Sequence, residues 1–280
     1  MTLRYALALL LALFVGPSRA ADAPPLPPLK KVMIIILENT DYEAALGSPY
    51  LASLAGKGAL LSNYHAVGHP SQPNYIALIA GDTLAVRNNN PANLDARQVG
   101  DLLADAGKTW AVYAEEYPGH CFLEESSGRY VRKHVPFLSF RSVQQDPALC
   151  ARIRNAAALD ADLAAGALPD FSLYVPNLVN DGHDRGVARA DTWLAEAFGP
   201  RIADPNFMKD LLLVITFDES SKSGDNRVLT LLLGDPVRPG AVSDRRYDHY
   251  SLLRTIEQGF GLGSLGRRDE KAEPISGVWK

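Results

Sequence analysis

Cysteine is scarce in this sequence of 280 residues, which contains only Cys121 and Cys150. The two lie too far apart in sequence for the Cys-x-x-Cys spacing of thiol redox and metal sites, so that chemistry is disfavoured. In an exported protein a pair of cysteines usually forms one disulfide. The sequence therefore predicts a Cys121–Cys150 bridge that closes a loop of about 30 residues and stabilises the fold by roughly 3–4 kcal/mol.

An excess of positive charge is also lacking. Lys and Arg total 28 against 32 Asp and Glu, which gives a formal net charge of −4. A mildly acidic protein is a poor general binder of nucleic acid, so we expect no nucleic-acid partner. The acidic side chains are instead candidate metal ligands. The sequence leaves the oligomeric state open.

The hydrophobic run near the N-terminus is too short to span a bilayer. It covers Ala6 to Val15, after Arg4 and before the small-x-small site Ser18-Arg19-Ala20, which is the pattern of a secretory signal peptide. We predict a signal at 1–20, a proline-rich linker at 21–30 and one domain at 31–280. Cleavage would remove two basic residues and no acidic one, leaving a net charge of −6. We expect a periplasmic or secreted protein without stable membrane insertion; an uncleaved anchor is the alternative.

Short apolar runs alternate with helical patterns along the rest of the chain. The runs are Val32–Leu37, Trp110–Ala114, Phe171–Val175, Leu211–Phe217 and Val228–Leu233. Strands that are apolar on both faces are typical of a parallel sheet covered by helices. The predicted helices are Pro49–Lys57, Pro73–Ala80, Ala96–Ala106, Pro147–Ala165, Ala188–Phe198 and Tyr250–Gln258. This alternation predicts an α/β fold, a three-layer α/β/α sandwich with a mainly parallel central sheet.

Two stretches depart from this alternation. The segment 122–143, rich in Arg, Ser and Lys and bracketed by the cysteines, is predicted to be an irregular surface excursion over the sheet edge. Ser71 lies between Pro70 and Pro73 at the start of an apolar stretch, which places it at or next to a helix start, and Gly81 ends that helix. Free N–H groups at such a start bind phosphate and help an alkoxide form. A capped surface helix is the alternative.

Polar side chains follow several of the predicted strands. Glu38 and Asn39 follow the first, Asn177 follows the third, and Asp218 and Glu219 follow the fourth. In open α/β sheets, ligands bind beyond the carboxyl ends of the strands, so these side chains are expected to line a site.

Two histidine-containing clusters extend this set. They are Asn180-Asp181-Gly182-His183-Asp184 and Tyr247-Asp248-His249-Tyr250. Histidine, carboxylate and amide ligands together suit Zn, Mn, Fe or Mg. Asn-Asp-Gly is also a good turn sequence, and a single loop histidine is more often only solvated or hydrogen-bonded.

Four of these motifs, taken in order, resemble a known family. They are Ile35-Ile36-Leu37-Glu38-Asn39, His69-Pro70-Ser71-Gln72-Pro73-Asn74-Tyr75, Pro176 to Asp184, and Thr216-Phe217-Asp218-Glu219. They are similar to the phosphoesterase family of acid phosphatases and bacterial phospholipases C, within the alkaline phosphatase superfamily. The resemblance spans residues 31 to about 261 and is nearest to the secreted acid phosphatases. It implies the α/β/α fold of that superfamily.

The resemblance also implies roles for individual residues. Ser71 takes the place of the nucleophile, and Asn74 and His134 take places that contact the substrate. His183 and His249 match positions that protonate the leaving group or, with Asp184, hold a second metal. The implied ligands of a divalent metal ion, whose identity and number stay open, are Glu38, Asn39, Ser71, His183, Asp184, Asp218 and Glu219.

The function that follows is hydrolysis of a small phosphate ester through a phosphoserine intermediate. The chain is short for the family, which favours a small soluble substrate over a bulky lipid. A phosphodiesterase of the phospholipase C type and a non-catalytic phosphate or metal binder are the alternatives. A sulfatase-like hydrolase is disfavoured because neither cysteine lies in a Cys-x-Pro-x-Arg sequence.

Overall fold

An eight-stranded sheet forms the centre of the computed structural model, which describes residues 25–221 and 224–280. Its strands are β1 (Lys31–Leu37), β2 (Ala59–Leu61), β4 (Trp110–Ala114), β7 (Ile153–Asn155), β8 (Phe171–Val175), β9 (Leu211–Phe217), β10 (Thr230–Gly234) and β11 (Ala241–Ser243). Their spatial order is β11-β2-β10-β9-β1-β8-β4-β7, and only the pairs that include β10 are antiparallel. The predicted mainly parallel sheet is confirmed.

Two small sheets lie beside the large one. Strand β3 (Tyr64–His65) pairs with β12 (Tyr247–Asp248), and β5 (Ser126–Ser127) pairs with β6 (Tyr130–Val131). All seven residues of β9 and six of the seven of β1 are buried, as their continuous apolar sequences predict.

Helices cover the large sheet in two groups, which are the outer layers of the sandwich. They are α1 (Tyr42–Leu46), α2 (Pro49–Lys57), α3 (Ser71–Ala80), α4 (Val99–Asp105), α5 (Arg141–Gln145), α6 (Pro147–Cys150), α7 (Ala158–Ala164), α8 (Val187–Ala203), α9 (Pro205–Met208), α10 (His249–Gly259) and α11 (Arg268–Lys271). Helix α3 packs against α4 and α10, whereas α2 packs against α8.

The N-terminal predictions fall largely outside the described residues. The predicted signal, 1–20, and the first four residues of the predicted linker are not among them. Leu29, near the end of that linker, is buried in the core, and its N–H donates to the Gly259 carbonyl at 2.7 Å. Contacts with the domain therefore begin before residue 31.

The helix that carries Ser71 begins and ends as its sequence predicts. Helix α3 begins at Ser71 and ends before Gly81, which has the left-handed φ of 68° that glycine adopts without strain. The N–H of Gln72 is not free, however, because it donates to the Asn89 Oδ1 at 3.0 Å. Pro70 and Pro73 have no N–H, so neither proline nor Gln72 offers a free amide, and phosphate binding by other N–H groups at this helix start stays a prediction.

One predicted helix is broken in the structure. Instead of one helix over Pro147–Ala165, the chain forms α6, the edge strand β7 and then α7. Strand β7 pairs in parallel with β4, so tertiary pairing at the sheet edge overrides local helical propensity. Cys121 and Cys150 are disulfide-bonded, as predicted, with their Cα atoms 5.5 Å apart.

The segment 122–143 is irregular as predicted. Its first part is largely exposed, but the part from Tyr130 to Phe140 is mostly buried and is not a surface excursion. The segment contains the β5–β6 hairpin and two 3₁₀ turns, Arg132–His134 and Pro136–Ser139. Val135, Phe137, Leu138 and Phe140 are fully buried, and both turns pack against α3. The buried Arg132 guanidinium donates to the carbonyls of Ala92, Leu123 and Leu138. That anchorage holds the segment against the helix that begins at Ser71.

A pair of buried carboxyl groups lies behind this helix. Glu257 on α10 and Asp269 on α11 are both fully buried, and Arg254 lies 3.3 Å from Glu257. Burial, and then the charge of Asp269, raise the pKa of Glu257 from 4.5 to about 8. Asp269 accepts N–H groups from Leu265 and Arg267, while the Arg267 guanidinium donates to the Ala80 carbonyl at the end of α3.

Replacing Glu257 with Gln is expected to flatten the pH dependence of stability. The raised pKa means that the folded state binds this proton more tightly than the unfolded chain. Its contribution is therefore present below the unfolded pKa and is lost as the pH rises through about 8. Thermal unfolding from about pH 5 to pH 9 should show a smaller decline in Tm for Glu257→Gln than for wild type. The exposed neighbour Glu270→Gln is the control and should match wild type; an equal decline in both variants would contradict the assignment.

Candidate active site

The site lies at the carboxyl ends of two adjacent parallel strands. The last residues of β1 and β9, Leu37 and Phe217, are paired in register, so Glu38 and Asp218 follow side by side. The turn after β1 is fixed by Asn39, which has a left-handed φ of 41° and donates its N–H to the Asp218 Oδ1 at 3.1 Å.

Ser71 lies between two carboxyl groups. Its Oγ is 3.2 Å from the Glu38 Oε2 and 3.0 Å from the Glu219 Oε1, and its side chain is buried. The hydroxyl has one hydrogen, so it donates to one carboxylate at a time. The second carboxylate remains within reach of the same proton.

Tyr75 and His134 complete the surroundings of Glu38. The Tyr75 hydroxyl donates to the Glu38 Oε1 at 2.6 Å, and the His134 Nε2 lies 3.0 Å from the same oxygen. The two rings stack with centroids 4.9 Å apart. Burial, and then the charge of Lys133, hold the pKa of His134 well below its usual 6.5, so the ring is neutral at pH 7.

Four buried carboxyl groups meet here, and all four bind protons more tightly than in water. The pKa of Glu38 is raised to about 8, by burial first and then by the charge of Asp181. The pKa of Asp181 is also raised to about 8, with burial as the largest cause. Burial and the nearby Glu38 raise the pKa of Asp218 well above 3.8, and burial raises that of Glu219. The charge of Lys133 lowers the pKa of Glu38, Asp181 and Glu219, so this cation lies near the cluster. The cluster is short of positive charge.

The chemistry of these donors fits a divalent cation. Among the described residues, buried oxygens without a hydrogen-bond partner include the Asn39 Oδ1, the Asp181 Oδ2 and the Asp218 Oδ2. Unpaired buried carboxylate oxygens are costly without a proton or a cation. Within 25–221 and 224–280, no three His, Cys, Asp or Glu side chains already form a ready set of metal ligands. The side chains therefore fit a divalent cation in donor type and charge, whereas the set of metal ligands stays a prediction.

His183 and Asp184, predicted as metal ligands, lie outside the cluster. They pair with each other, Nδ1 to Oδ1 at 2.8 Å, and both side chains are substantially exposed. The Asp181 Oδ1 accepts the N–H of His183, while the Asp181 Oδ2 lies 3.6 Å from the His134 Nδ1. The motif thus contributes Asp181 to the cluster in this structure. After burial and the charge of Lys133, the charge of His183 also lowers the pKa of His134, so His183 lies near it, and its role as a metal ligand stays a prediction.

His249 is buried, and both of its ring nitrogens are engaged. The Nε2 donates to the Asp218 carbonyl at 2.8 Å, so the Nδ1 accepts from the Tyr64 hydroxyl at 3.1 Å. Burial lowers its pKa. This geometry does not fit the predicted metal ligand or leaving-group acid, since neither nitrogen is available to either. His249 instead fixes the backbone at Asp218.

Asn74 is likewise a scaffold residue in this structure rather than a contact for phosphate. Its Oδ1 accepts the N–H groups of Val67 and Gly68, and its Nδ2 donates to the carbonyls of Gly68 and Pro70. All of its side-chain hydrogen bonds hold the loop that leads into Ser71. His134 does lie at the site, but it is buried against Glu38 rather than open to substrate.

Three residues of the site were missed by the sequence analysis. Tyr75 lies four positions after Ser71 and so on the same face of α3, which is a usable signal. Asp181 lies in a predicted histidine-containing cluster, but it is not among the residues predicted to hold the metal. His69 lies 2.5 Å from the Glu219 Oε2 with its ring half-exposed, and no local pattern distinguishes it from an ordinary loop histidine.

Solved structures define the class of fold. A protein of the alkaline phosphatase superfamily from Vibrio parahaemolyticus superposes with a TM-score of 0.63 at 13% identity, covering 91% of this chain and 72% of that one. Murine ectonucleotide pyrophosphatase/phosphodiesterase 5 superposes with a TM-score of 0.57 at 10% identity, covering 85% and 96% of the two chains. This chain therefore shares the fold of these two proteins.

Sequence comparison narrows the class to a family. The model of the Phosphoesterase family matches residues 47–263, and the chain belongs to that family. It is 37% identical to a probable acid phosphatase of Kluyveromyces lactis, over 88% of this chain and 62% of the relative. It is 36% identical to a phosphatidylinositol-3-phosphatase of Mycobacterium tuberculosis, over 96% of this chain and 90% of the relative. The chain thus spans less than two thirds of the yeast relative but nearly all of the mycobacterial one.

The described residues also bear on the membrane prediction. In 25–221 and 224–280, no helix combines the length and apolar character that crossing a bilayer requires.

Replacing Tyr75 with Phe is expected to lower kcat/KM about tenfold while leaving the fold intact. A hydrogen bond to an ionisable carboxyl is worth about 1.5–3 kcal/mol, and the stack on His134 survives the change. Hydrolysis of p-nitrophenyl phosphate and thermal unfolding measure the two effects. Tyr113→Phe is the matched control, because its hydroxyl binds Asp162 and Arg154 away from the site. Unchanged kcat/KM in Tyr75→Phe would show that Glu38 does not need this hydrogen bond.

Proposed function

We propose that this chain is a metal-dependent phosphomonoesterase that forms a phosphoserine at Ser71. The observation that carries the proposal is the Ser71 Oγ between the Glu38 and Glu219 carboxyl groups. Membership of the Phosphoesterase family, with acid phosphatases among its relatives, supports this reaction class.

The chain's own groups suffice to move the protons of this reaction. The Ser71 Oγ attacks phosphorus, and its proton passes to Glu219 or Glu38. The bond from phosphorus to the alcohol oxygen breaks, and the alcohol takes a proton. His69 is placed to supply that proton, since it is half-exposed and contacts Glu219. Water then attacks the phosphorus and loses a proton to His69, the bond from phosphorus to the Ser71 Oγ breaks, and phosphate leaves. Ser71 recovers its proton from Glu219 or Glu38. A donor role for His183 stays a prediction.

A divalent cation would be held by Glu38, Asn39, Ser71, Asp218 and Glu219. When bound, it supplies positive charge that favours the ionised Ser71 hydroxyl and offsets charge on the phosphoryl oxygens. Lys133 adds a fixed positive charge near the same carboxyl groups and so favours an anionic substrate.

The mycobacterial relative bears on the substrate. Because it is matched over 90% of its length and is named a phosphatidylinositol-3-phosphatase, a phosphomonoester on an inositol headgroup is one proposed substrate. We also propose that the protein is exported, which the N-terminal pattern and the Cys121–Cys150 disulfide support.

Replacing Ser71 with Ala is expected to abolish phosphatase turnover by several orders of magnitude while preserving the fold. Hydrolysis of p-nitrophenyl phosphate, and acid quenching followed by mass spectrometry of the Ser71 peptide, test the nucleophile. Exposed Ser53→Ala is the control and should keep full activity. Wild-type rates in Ser71→Ala would refute the mechanism, and preferential hydrolysis of bis(p-nitrophenyl) phosphate by wild type would favour the diesterase alternative.

Removing divalent metal with a chelator is expected to abolish activity and lower Tm. Metal must displace protons from the four carboxyl groups, so the gain in Tm on adding metal back should be larger at pH 8 than at pH 5. Elemental analysis of the purified protein identifies the ion. Full activity of protein shown to be metal-free would exclude the metal-dependent mechanism but not the serine nucleophile.

A further inference from the structure

A second set of carboxyl contacts lies next to the cluster, at the end of β4. Glu115 follows β4, and its carboxylate accepts four hydrogen bonds. Its Oε2 accepts the N–H of Asn177 at 3.0 Å and the Nδ2 of Asn180 at 2.7 Å. Its Oε1 accepts the Trp193 Nε1 at 2.9 Å and the Tyr174 hydroxyl at 3.2 Å.

The four donors belong to two kinds of structure. Trp193 is on the 17-residue helix α8, and Tyr174 is in the central strand β8, so two donors are on rigid elements. Asn177 and Asn180 are in the turn that follows β8. Glu115 therefore fastens this turn to the scaffold through both oxygens of one carboxylate.

Neighbouring contacts strengthen the same attachment. The Glu116 Oε1 accepts the Asn177 Nδ2 at 3.0 Å, while the Glu116 Oε2 accepts the N–H of Arg129 at 3.2 Å. Glu116 adopts a left-handed φ of 56°, which costs energy for a residue with a side chain. Consecutive carboxylates thus bind the two asparagine amides of one turn.

The turn determines where Asp181 lies. The N–H of Asp181 donates to the Asn177 carbonyl at 2.9 Å, and the Asp181 carbonyl accepts the N–H of Glu38 at 2.9 Å. A displacement at Asn177 is therefore passed directly to both Asp181 and Glu38. Groups that bind a reacting phosphoryl unit must be placed to within about 0.5 Å.

We propose that Glu115 is a positioning residue that fixes the Asn177–Asp181 turn and so sets the Asp181 carboxylate against Glu38 and His134. The inference rests on the proposed function for its catalytic consequence. Glu115 contacts the turn rather than the reacting atoms, so its effect is exerted through Asp181.

The Glu115→Gln variant tests the proposal. The carboxamide has one acceptor oxygen where the carboxylate has two. Its NH₂ group must therefore face one pair of donors, either those of the turn or those of the scaffold, and that pair loses its acceptor. We expect kcat for p-nitrophenyl phosphate to fall about tenfold to a hundredfold, as for other outer residues that orient ligands, with a smaller change in KM. Affinity for Mn²⁺ alone, measured by calorimetry, should weaken over the same range, because the proposed ligand Glu38 is held by its hydrogen bond to the Asp181 carbonyl.

A reciprocal exchange separates positioning from simple loss of stability. In Glu115→Gln/Asn180→Asp, the glutamine NH₂ can donate to the new carboxylate, which restores one contact, and Arg189 keeps its partner at position 180. The double variant should be more active and bind Mn²⁺ more tightly than Glu115→Gln alone.

The control lies at the other end of β8, where the strand begins. Asp170, just before β8, accepts hydrogen bonds from the N–H and hydroxyl of Thr109. Asp170→Asn should lower Tm without changing kcat or Mn²⁺ affinity.

The outcomes discriminate between the two proposals. Wild-type kcat and Mn²⁺ affinity in folded Glu115→Gln would overturn the positioning role, as would equal losses in Asp170→Asn. If wild type hydrolyses no phosphate ester, the proposed function fails. The comparison of Mn²⁺ affinities still decides whether Glu115 positions Asp181.

Discussion

The structure depends on the burial of four carboxyl groups next to one another, away from solvent. Glu38, Asp181, Asp218 and Glu219 are buried together around the Ser71 hydroxyl, and burial raises the pKa of every one of them. Such a cluster is stable only with bound protons or with added positive charge. A cation bound by such a cluster would also stabilise the negative charge of a phosphoryl transition state. The cost in folding energy and the capacity for chemistry therefore have one origin.

Much of the surrounding structure serves to hold these carboxyl groups in place. The paired ends of β1 and β9 set Glu38 beside Asp218, while His249 fixes the Asp218 carbonyl and Asn74 fixes the loop before Ser71. The 3₁₀ turn that carries His134 is anchored by the buried Arg132. These residues exert their effect on the site through backbone positions, which are fixed by the hydrogen bonds that His249, Asn74 and Arg132 make to backbone groups.

The sequence predicted the sheet and the site's location because both depend on short-range patterns. Apolar runs that end in acidic or amide residues mark buried parallel strands and their functional ends, and Glu38, Ser71 and Glu219 do meet there. The errors came from tertiary effects. Strand β7 replaced part of a predicted helix because an open sheet edge was available for pairing. The second part of 122–143 is buried because its 3₁₀ turns pack against α3. Local composition carries no information about either contact.

Resemblance to a family identified the right segments but could not say which side chain in each segment reaches the site. In the motif Asn180 to Asp184, Asp181 is buried whereas the His183 side chain is substantially exposed, so neighbouring residues with similar ligand chemistry have different surroundings. His249 shows the same limit, since its ring contacts the backbone of Asp218 rather than open space. Sequence motifs record which residues occur together, whereas ligation and proton transfer depend on side-chain direction. Direction is set here by hydrogen bonds such as those of Glu115 and Asn74, which span 59 to 78 residues in the first case and 4 to 7 in the second.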